Sequence, residues 1–156
     1  MGVTSCGKST IGAALGERLK LSFLDGDTLH PASNIEKMSK GVPLTDEDRW
    51  PWLEAVGEAF ANRQIIACSA LKRSYRDCIR AKAGGDVLFI HLEGTRDLLA
   101  KRMLARKGHF MPPALLDSQL ATLEPLEPDE NHIVVSIDAS TDTIIETIAT
   151  QMKAAP

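Results

Sequence analysis

Gly2-Val3-Thr4-Ser5-Cys6-Gly7-Lys8-Ser9 is the stretch that decides the fold. It follows the pattern G-x-x-x-x-G-K-[ST], in which a tight loop turns its backbone N–H groups inward just as the next helix presents its positive end. Phosphate oxygens fit such a nest. The lysine, here Lys8, reaches the β- and γ-phosphates, and the hydroxyl, here Ser9, ligates Mg²⁺. The helix is legible too, since Ile11, Leu15 and Leu19 recur every four residues directly after Lys8. Gly2, Val3, Thr4, Ser5, Cys6, Gly7, Lys8, Ser9 and Thr10 are therefore the predicted phosphate site. Two of these positions are unusual, because Ser5 and Cys6 stand where such loops carry glycine and a small residue. If position 5 needs φ > 0, Ser5 costs about 1 kcal/mol of strain. Cys6 reads either as a small side chain that fits or as a thiol with a lowered pKa beside Lys8.

Around this loop the chain is that of one ordinary domain. With 156 residues, 44% hydrophobic and 25% charged, it is long enough for a core and too apolar for wholesale disorder. No apolar run approaches the length of a membrane span, no secretory segment opens the chain, and the three cysteines form no spaced framework. These features point to a cytoplasmic protein with reduced thiols and no membrane partner. The net charge of −3 argues against general nucleic-acid binding, yet it hides an imbalance. Residues 63–107 carry eleven basic and four acidic side chains, a net of +7, whereas residues 108–156 carry one and eight. The basic middle is either a local anion site or a solvated helix face, and charge alone does not choose.

Strands alternate with helices along the chain. Ser22-Phe23-Leu24 reads as a strand ending in Asp25-Gly26-Asp27, and Thr28 to Lys40 as helical. Thr45 is a predicted N-cap with Asp46, Glu47 and Asp48 in the first turn, where carboxylates suit the helix dipole. Ile65–Cys68, Val87–Leu92 and Ile133–Ile137 are apolar runs of buried-strand type. Residues 72–83 and 95–106 are predicted helices; Pro112-Pro113 opens another, and Ser140 caps the last. Helical crossovers between strands imply an α/β fold with a parallel sheet, helix-covered on both faces.

Asp25-Gly26-Asp27 falls at the carboxyl end of a strand, where open α/β sheets bind ligands. One carboxylate there suits Mg²⁺, and the other suits a hydroxyl that accepts phosphate; the tripeptide is also a common turn. His30, Lys37, Arg49 and Lys72 are candidate donors to an acidic substrate, though each taken singly reads first as a surface charge. Trp50 and Trp52 bracket Pro51 and read as core or groove packing in preference to base stacking. Cys68 and Cys78 read as inert.

Together these blocks resemble bacterial gluconate kinases. The resemblance rests on Gly2 to Ser9, Asp25-Gly26-Asp27-Thr28-Leu29-His30-Pro31, Asn34, Lys37-Met38, Asp46-Glu47-Asp48-Arg49, Cys68-Ser69-Ala70-Leu71-Lys72, Tyr75-Arg76-Asp77 and Arg106 to Met111, in order and spacing. It implies a three-layer P-loop kinase fold with a five-stranded parallel sheet, a substrate-binding helical segment at residues 28–62 and a lid at residues 102–124. It also implies ATP-dependent phosphorylation of D-gluconate at its terminal hydroxyl, with ATP and Mg²⁺ as cofactors. By that resemblance Asp27 is the base or hydroxyl-orienting residue and Asp25 the Mg²⁺ partner beside Ser9. His30, Arg49 and Lys72 bind the sugar acid, while Arg102 and Arg106 cover the transferring phosphoryl group or are ordinary helix charges. His109 reads as a phosphate contact in a closed lid or as a turn residue. A homodimer is implied as well.

Family members carry an apolar strand immediately before the loop, and Met1 corresponds to an internal methionine in them. The expectation is that the central strand lies upstream of Met1, or else that neighbouring strands pair directly or leave backbone unpaired. Two other readings stay open: a related kinase of the same fold acting on shikimate or another hydroxylated acid, and a nucleotide-binding remnant that no longer transfers phosphate.

Overall fold

Apolar periodicity becomes alternating elements in the expected order. The computed structural model describes residues 1–62, 64–106 and 113–154. Its elements are α1 (Lys8–Leu19), β1 (Ser22–Asp25), α2 (Ala32–Ser39), α3 (Asp46–Glu58), β2 (Gln64–Ala67), α4 (Arg73–Ala83), β3 (Phe89–Glu93), α5 (Arg96–Ala105), α6 (Pro113–Thr122), β4 (His132–Ser136) and α7 (Thr141–Ala154). The helix starts are built by side chains. The Thr45 hydroxyl accepts from the Asp48 N–H at 3.2 Å while the Asp48 carboxylate accepts from the Thr45 N–H at 2.9 Å, a closed capping box. Thr95 caps α5 and Ser140 caps α7 with the hydroxyl bond alone.

Two boundaries differ from the sequence expectation. The helix expected over Thr28–Lys40 is a 3₁₀ turn, Gly26–Leu29, followed by α2 from Ala32. His30 stands between them at φ −62°, ψ 135°, because a residue before proline is driven out of the helical region. The strand expected from Val87 begins at Phe89, where pairing with His132 starts; Val87 instead packs beside α3 and α4.

The strands are parallel, in register Ser22↔Gln64 to Asp25↔Ala67 and Phe89↔His132 to Glu93↔Ser136. The continuous five-stranded sheet of the resemblance is not what the described residues form. They form two two-stranded sheets, β1–β2 and β3–β4, which share no ladder. Met1 and Gly2 span the distance between them. The Met1 nitrogen donates to the Ile90 carbonyl at 2.5 Å, the Met1 carbonyl accepts from Leu92 N–H at 3.0 Å, and Gly2 N–H donates to the Ser69 carbonyl at 3.2 Å. Beside this bridge lies a largely apolar cavity of about 530 Å³, bordered by Met1, Ile11, Leu15, Ile66 and Ile90.

Alternate residues of the strands face opposite cores. Leu92, Ile133 and Val135 join Ile11, Leu15, Leu99, Leu116 and Ile148 on one side. Phe89 and Ile66 face Trp52, Leu53, Val56, Tyr75 and Ile79 of α3 and α4 on the other. Helices therefore cover both faces, and the strand ends meet at the edge where the loop of residues 2–9 turns into α1.

Candidate active site

Gly7 sets the loop. It precedes α1 at φ 94°, in a region that only glycine adopts cheaply, and it provides no side-chain cap. The first N–H groups of α1 are left without side-chain partners at the positive end of the helix, as an anion site requires. Ser5 takes the left-handed conformation the sequence made conditional, at φ 65°. Its hydroxyl oxygen is the one buried side-chain polar atom without a hydrogen-bond partner among the described residues. An unfilled hydroxyl in the loop that leads into the uncapped start of α1 fits a phosphate-bearing ligand. Lys8 turns back on the loop, its Nζ donating to the Val3 carbonyl at 3.0 Å and lying 4.0 Å from Cys6 Sγ. Cys6 itself is fully buried, so it serves as a small side chain that fits. The Thr4 N–H donates to the Gln119 side chain of α6 at 2.6 Å, a contact 115 residues apart in sequence.

The acceptor side is tied to this loop by one bond, in which Ser9 Oγ donates to Asp25 Oδ2 at 2.9 Å. A hydroxyl beside a carboxylate is a donor set of hard oxygens, suited to Mg²⁺. The other Asp25 oxygen accepts from the Asp27 N–H at 3.0 Å and so shapes the turn. Gly26 is required there, since a Cβ would lie 2.4 Å from the Ala67 carbonyl. Asp27 is exposed, and among the described residues its carboxylate accepts no hydrogen bond.

Behind the turn, Trp52 is buried, as packing and not base stacking predicted. Its indole N–H donates to the Gly26 carbonyl at 2.8 Å, and its ring stacks on His30 at 4.1 Å. Burial pushes the His30 pKa below its usual value, outweighing the nearby Asp27. Lys37 is paired with Asp48 at 2.8 Å; that contact and the Thr45 cap hold the Asp48 carboxyl down at about 2.

Arg49 and Lys72, far apart in sequence, converge on Asp46 at 3.5 and 3.3 Å. Tyr75 completes the cluster: its hydroxyl donates to Asp46 and accepts from Arg49, and both cations lie over its ring, at 5.7 and 5.4 Å. The Tyr75 bond, then Lys72 and Arg49, hold the Asp46 carboxyl below the usual range. The sequence reading had assigned no site role to Asp46 or Tyr75. The only hint was that Tyr75 falls one turn after Lys72 on a helix, in reach of the same neighbour.

The cations within α4 are engaged elsewhere. Arg73 pairs with Asp77 and Asp129 at 3.0 and 2.8 Å, Arg76 with Glu130 at 2.6 Å, Arg80 with Asp77, and Lys82 with Glu54. Over most of α4 the +7 stretch is thus a surface face whose cations are paired with carboxylates, Arg76 alone being buried; Lys72, at the N-cap, joins the Asp46 cluster. Arg102 donates to the Ile137 carbonyl at 2.7 Å, and Arg106 is exposed at the end of α5. His109 and the rest of residues 107–112 lie outside the described residues. Cys68 is buried, and burial pushes its thiol up to about 11, in keeping with an inert side chain.

A phosphate loop bound through Ser9 to an acidic turn, with paired cations facing across from it, defines a P-loop kinase of small molecules. Residues 4–153 match the shikimate kinase family model. The thermosensitive gluconokinase of Escherichia coli is 47% identical over 86% of this chain and 74% of its own length. A sugar kinase from Janibacter superposes with a TM-score of 0.89 at 45% identity, covering 100% of this chain and 93% of that one. A gluconokinase from Sinorhizobium meliloti gives 0.82 at 44%, covering 98% and 93%. Shikimate kinase from Aquifex aeolicus shares the fold, with a TM-score of 0.61 at 12% identity over 99% and 94% of the two chains. The chain belongs to the shikimate kinase family and, within it, to the gluconokinases.

Proposed function

We propose that this chain transfers the γ-phosphoryl group of ATP to the terminal hydroxyl of D-gluconate, giving 6-phospho-D-gluconate. The observation that carries this reading is the Ser9–Asp25 bond, which brings the Asp25-Gly26-Asp27 turn to the phosphate loop. Asp27, exposed and with a carboxylate that accepts no hydrogen bond among the described residues, orients the acceptor hydroxyl and takes its proton. Gly2 to Thr10 cradle the phosphates, and Lys8 swings from the Val3 carbonyl onto them. Ser9 and Asp25 hold Mg²⁺, which supplies neutralisation of phosphate charge.

His30, Arg49 and Lys72 take the sugar acid, the two cations meeting its carboxylate in place of Asp46. Arg102 and Arg106 belong to the arm that closes over the phosphoryl group, in a lid spanning residues 102–124. Residues 28–62 form the substrate-binding segment of a single domain. Phosphoryl transfer needs mainly positioning and charge neutralisation, and these residues are of the types that supply both. The sequence features carry a cytoplasmic setting into this reading, and the resemblance to gluconate kinases carries a homodimer.

The shikimate alternative has the family model in its favour, whereas the relatives of high identity are gluconokinases. A coupled ADP-release assay against gluconate, other aldonates and shikimate tests the choice. Turnover confined to gluconate is the expected result. Turnover with shikimate transfers the assignment, and ATP binding without turnover on any acid leaves a nucleotide-binding remnant.

A further inference from the structure

Arg76 is wholly buried, yet nothing in the proposed chemistry uses it. Its guanidinium carries five N–H donors in a rigid fork, and their directions are informative. Nε and Nη2 hold the Glu130 carboxylate at 2.6 and 3.1 Å, and Nη2 also meets the Pro125 carbonyl at 3.2 Å. Nη1 meets three backbone carbonyls, those of Ala70, Leu71 and Glu124, at 3.1, 3.3 and 3.3 Å. A pair that served only the core would do no better than apolar side chains of the same volume. The fork onto residues 70 and 71 is the part that core stability leaves unexplained.

The segment it grips links the two halves of the site. At one end the Ser69 carbonyl receives Gly2, the first residue of the phosphate loop, at 3.2 Å. At the other end Lys72 is the N-cap of α4 and reaches Asp46. Between them Ala70 sits at φ 47°, a left-handed conformation that a non-glycine residue keeps only where its surroundings enforce it. The Leu71 carbonyl is fixed a second time, by the Glu124 N–H at 2.8 Å.

We propose that Arg76 is a positioning residue for the phosphate acceptor: by holding the Ala70 and Leu71 carbonyls it fixes where Lys72 meets the sugar acid. The proposal rests on the reading that Lys72 binds that acid. Arg76→Lys retains the charge opposite Glu130 and loses the fork. It raises KM for gluconate about tenfold, while kcat and KM for ATP stay within about threefold, the pattern of lost acceptor binding. Lys72→Met raises KM for gluconate by itself, and in that background Arg76→Lys adds no further rise, as expected of two groups acting through one contact.

An unchanged KM in Arg76→Lys, or increases that multiply in the double variant, overturns the proposal. An unchanged KM in Lys72→Met overturns the underlying role of Lys72 instead, and an Arg76→Lys effect that persists there shows a route bypassing it. Arg76→Met combined with Glu130→Leu removes the grip on the Ala70 and Leu71 carbonyls without stranding a buried charge, and gives the same acceptor-selective rise. If Arg76→Lys does not fold, a folded double variant of this kind with unaltered KM is enough to refute the proposal.

Discussion

The phosphate loop and α4 both carry positive charge, and they use it in opposite ways. In the loop, among the described residues, Lys8 has only the Val3 carbonyl and a distant thiol, the Ser5 hydroxyl has no partner, and the first amides of α1 lack a side-chain cap. In α4, Arg73, Arg76 and Arg80 are each matched by carboxylates, and the Arg76–Glu130 pair is sealed from solvent. Charge density is the greater in α4, but unsatisfied hydrogen-bonding capacity is concentrated in the loop and the neighbouring Asp27. The difference teaches that reactive ends keep donors and acceptors open at a cost in stability, while scaffolding closes them.

Removing an open group should harm turnover and spare the fold. Asp27→Asn lowers kcat by about 10²–10⁴-fold, the usual worth of a positioned base, with ATP binding by calorimetry unchanged. Retained turnover would remove Asp27 from its role and blur the contrast. Removing a closed group should do the reverse. Glu130→Ala strands a buried guanidinium and costs about 3–5 kcal/mol in urea unfolding.

Burial alone would raise the Glu130 carboxyl, but bonds from Arg76 and the Glu127 N–H take it below its ordinary value. Its contribution is therefore complete above the ordinary glutamate range and is lost as pH falls through the lowered value. Wild-type stability should drop more steeply in acid than that of Glu130→Ala, and parallel acid limbs would contradict the pairing. The smallest effect has the opposite sign. Ser5→Gly relieves a left-handed serine and a buried orphan hydroxyl, so it gains about 1 kcal/mol and raises Tm by about 2–4 °C. A lower Tm would mean that the hydroxyl is satisfied after all.

What the sequence made legible was local. The loop, the Thr45 N-cap and the Asp25-Gly26-Asp27 turn each depend on residues within a few positions, and each stands where spacing put it. The proline rule also held, although the helix expected from Thr28 had passed over it at His30-Pro31. What escaped was the pairing of distant charges. Apart from Asp77, the acidic partners of Arg73 and Arg76 lie at Glu127, Asp129 and Glu130, more than 50 residues away. Nothing in the +7 count indicates that those carboxylates fold back onto α4. Asp46 and Tyr75 escaped for the same reason, since their cluster exists only once α3 packs on α4.

The seam between β1–β2 and β3–β4 has a consequence for volume. Two residues, Met1 and Gly2, join the sheets beside an apolar cavity of about 530 Å³. Void space eliminated on unfolding makes the unfolded chain the smaller state, so hydrostatic compression favours it. The seam is therefore a place where hydrostatic pressure lowers the stability of the fold, beside the residues that start the phosphate loop.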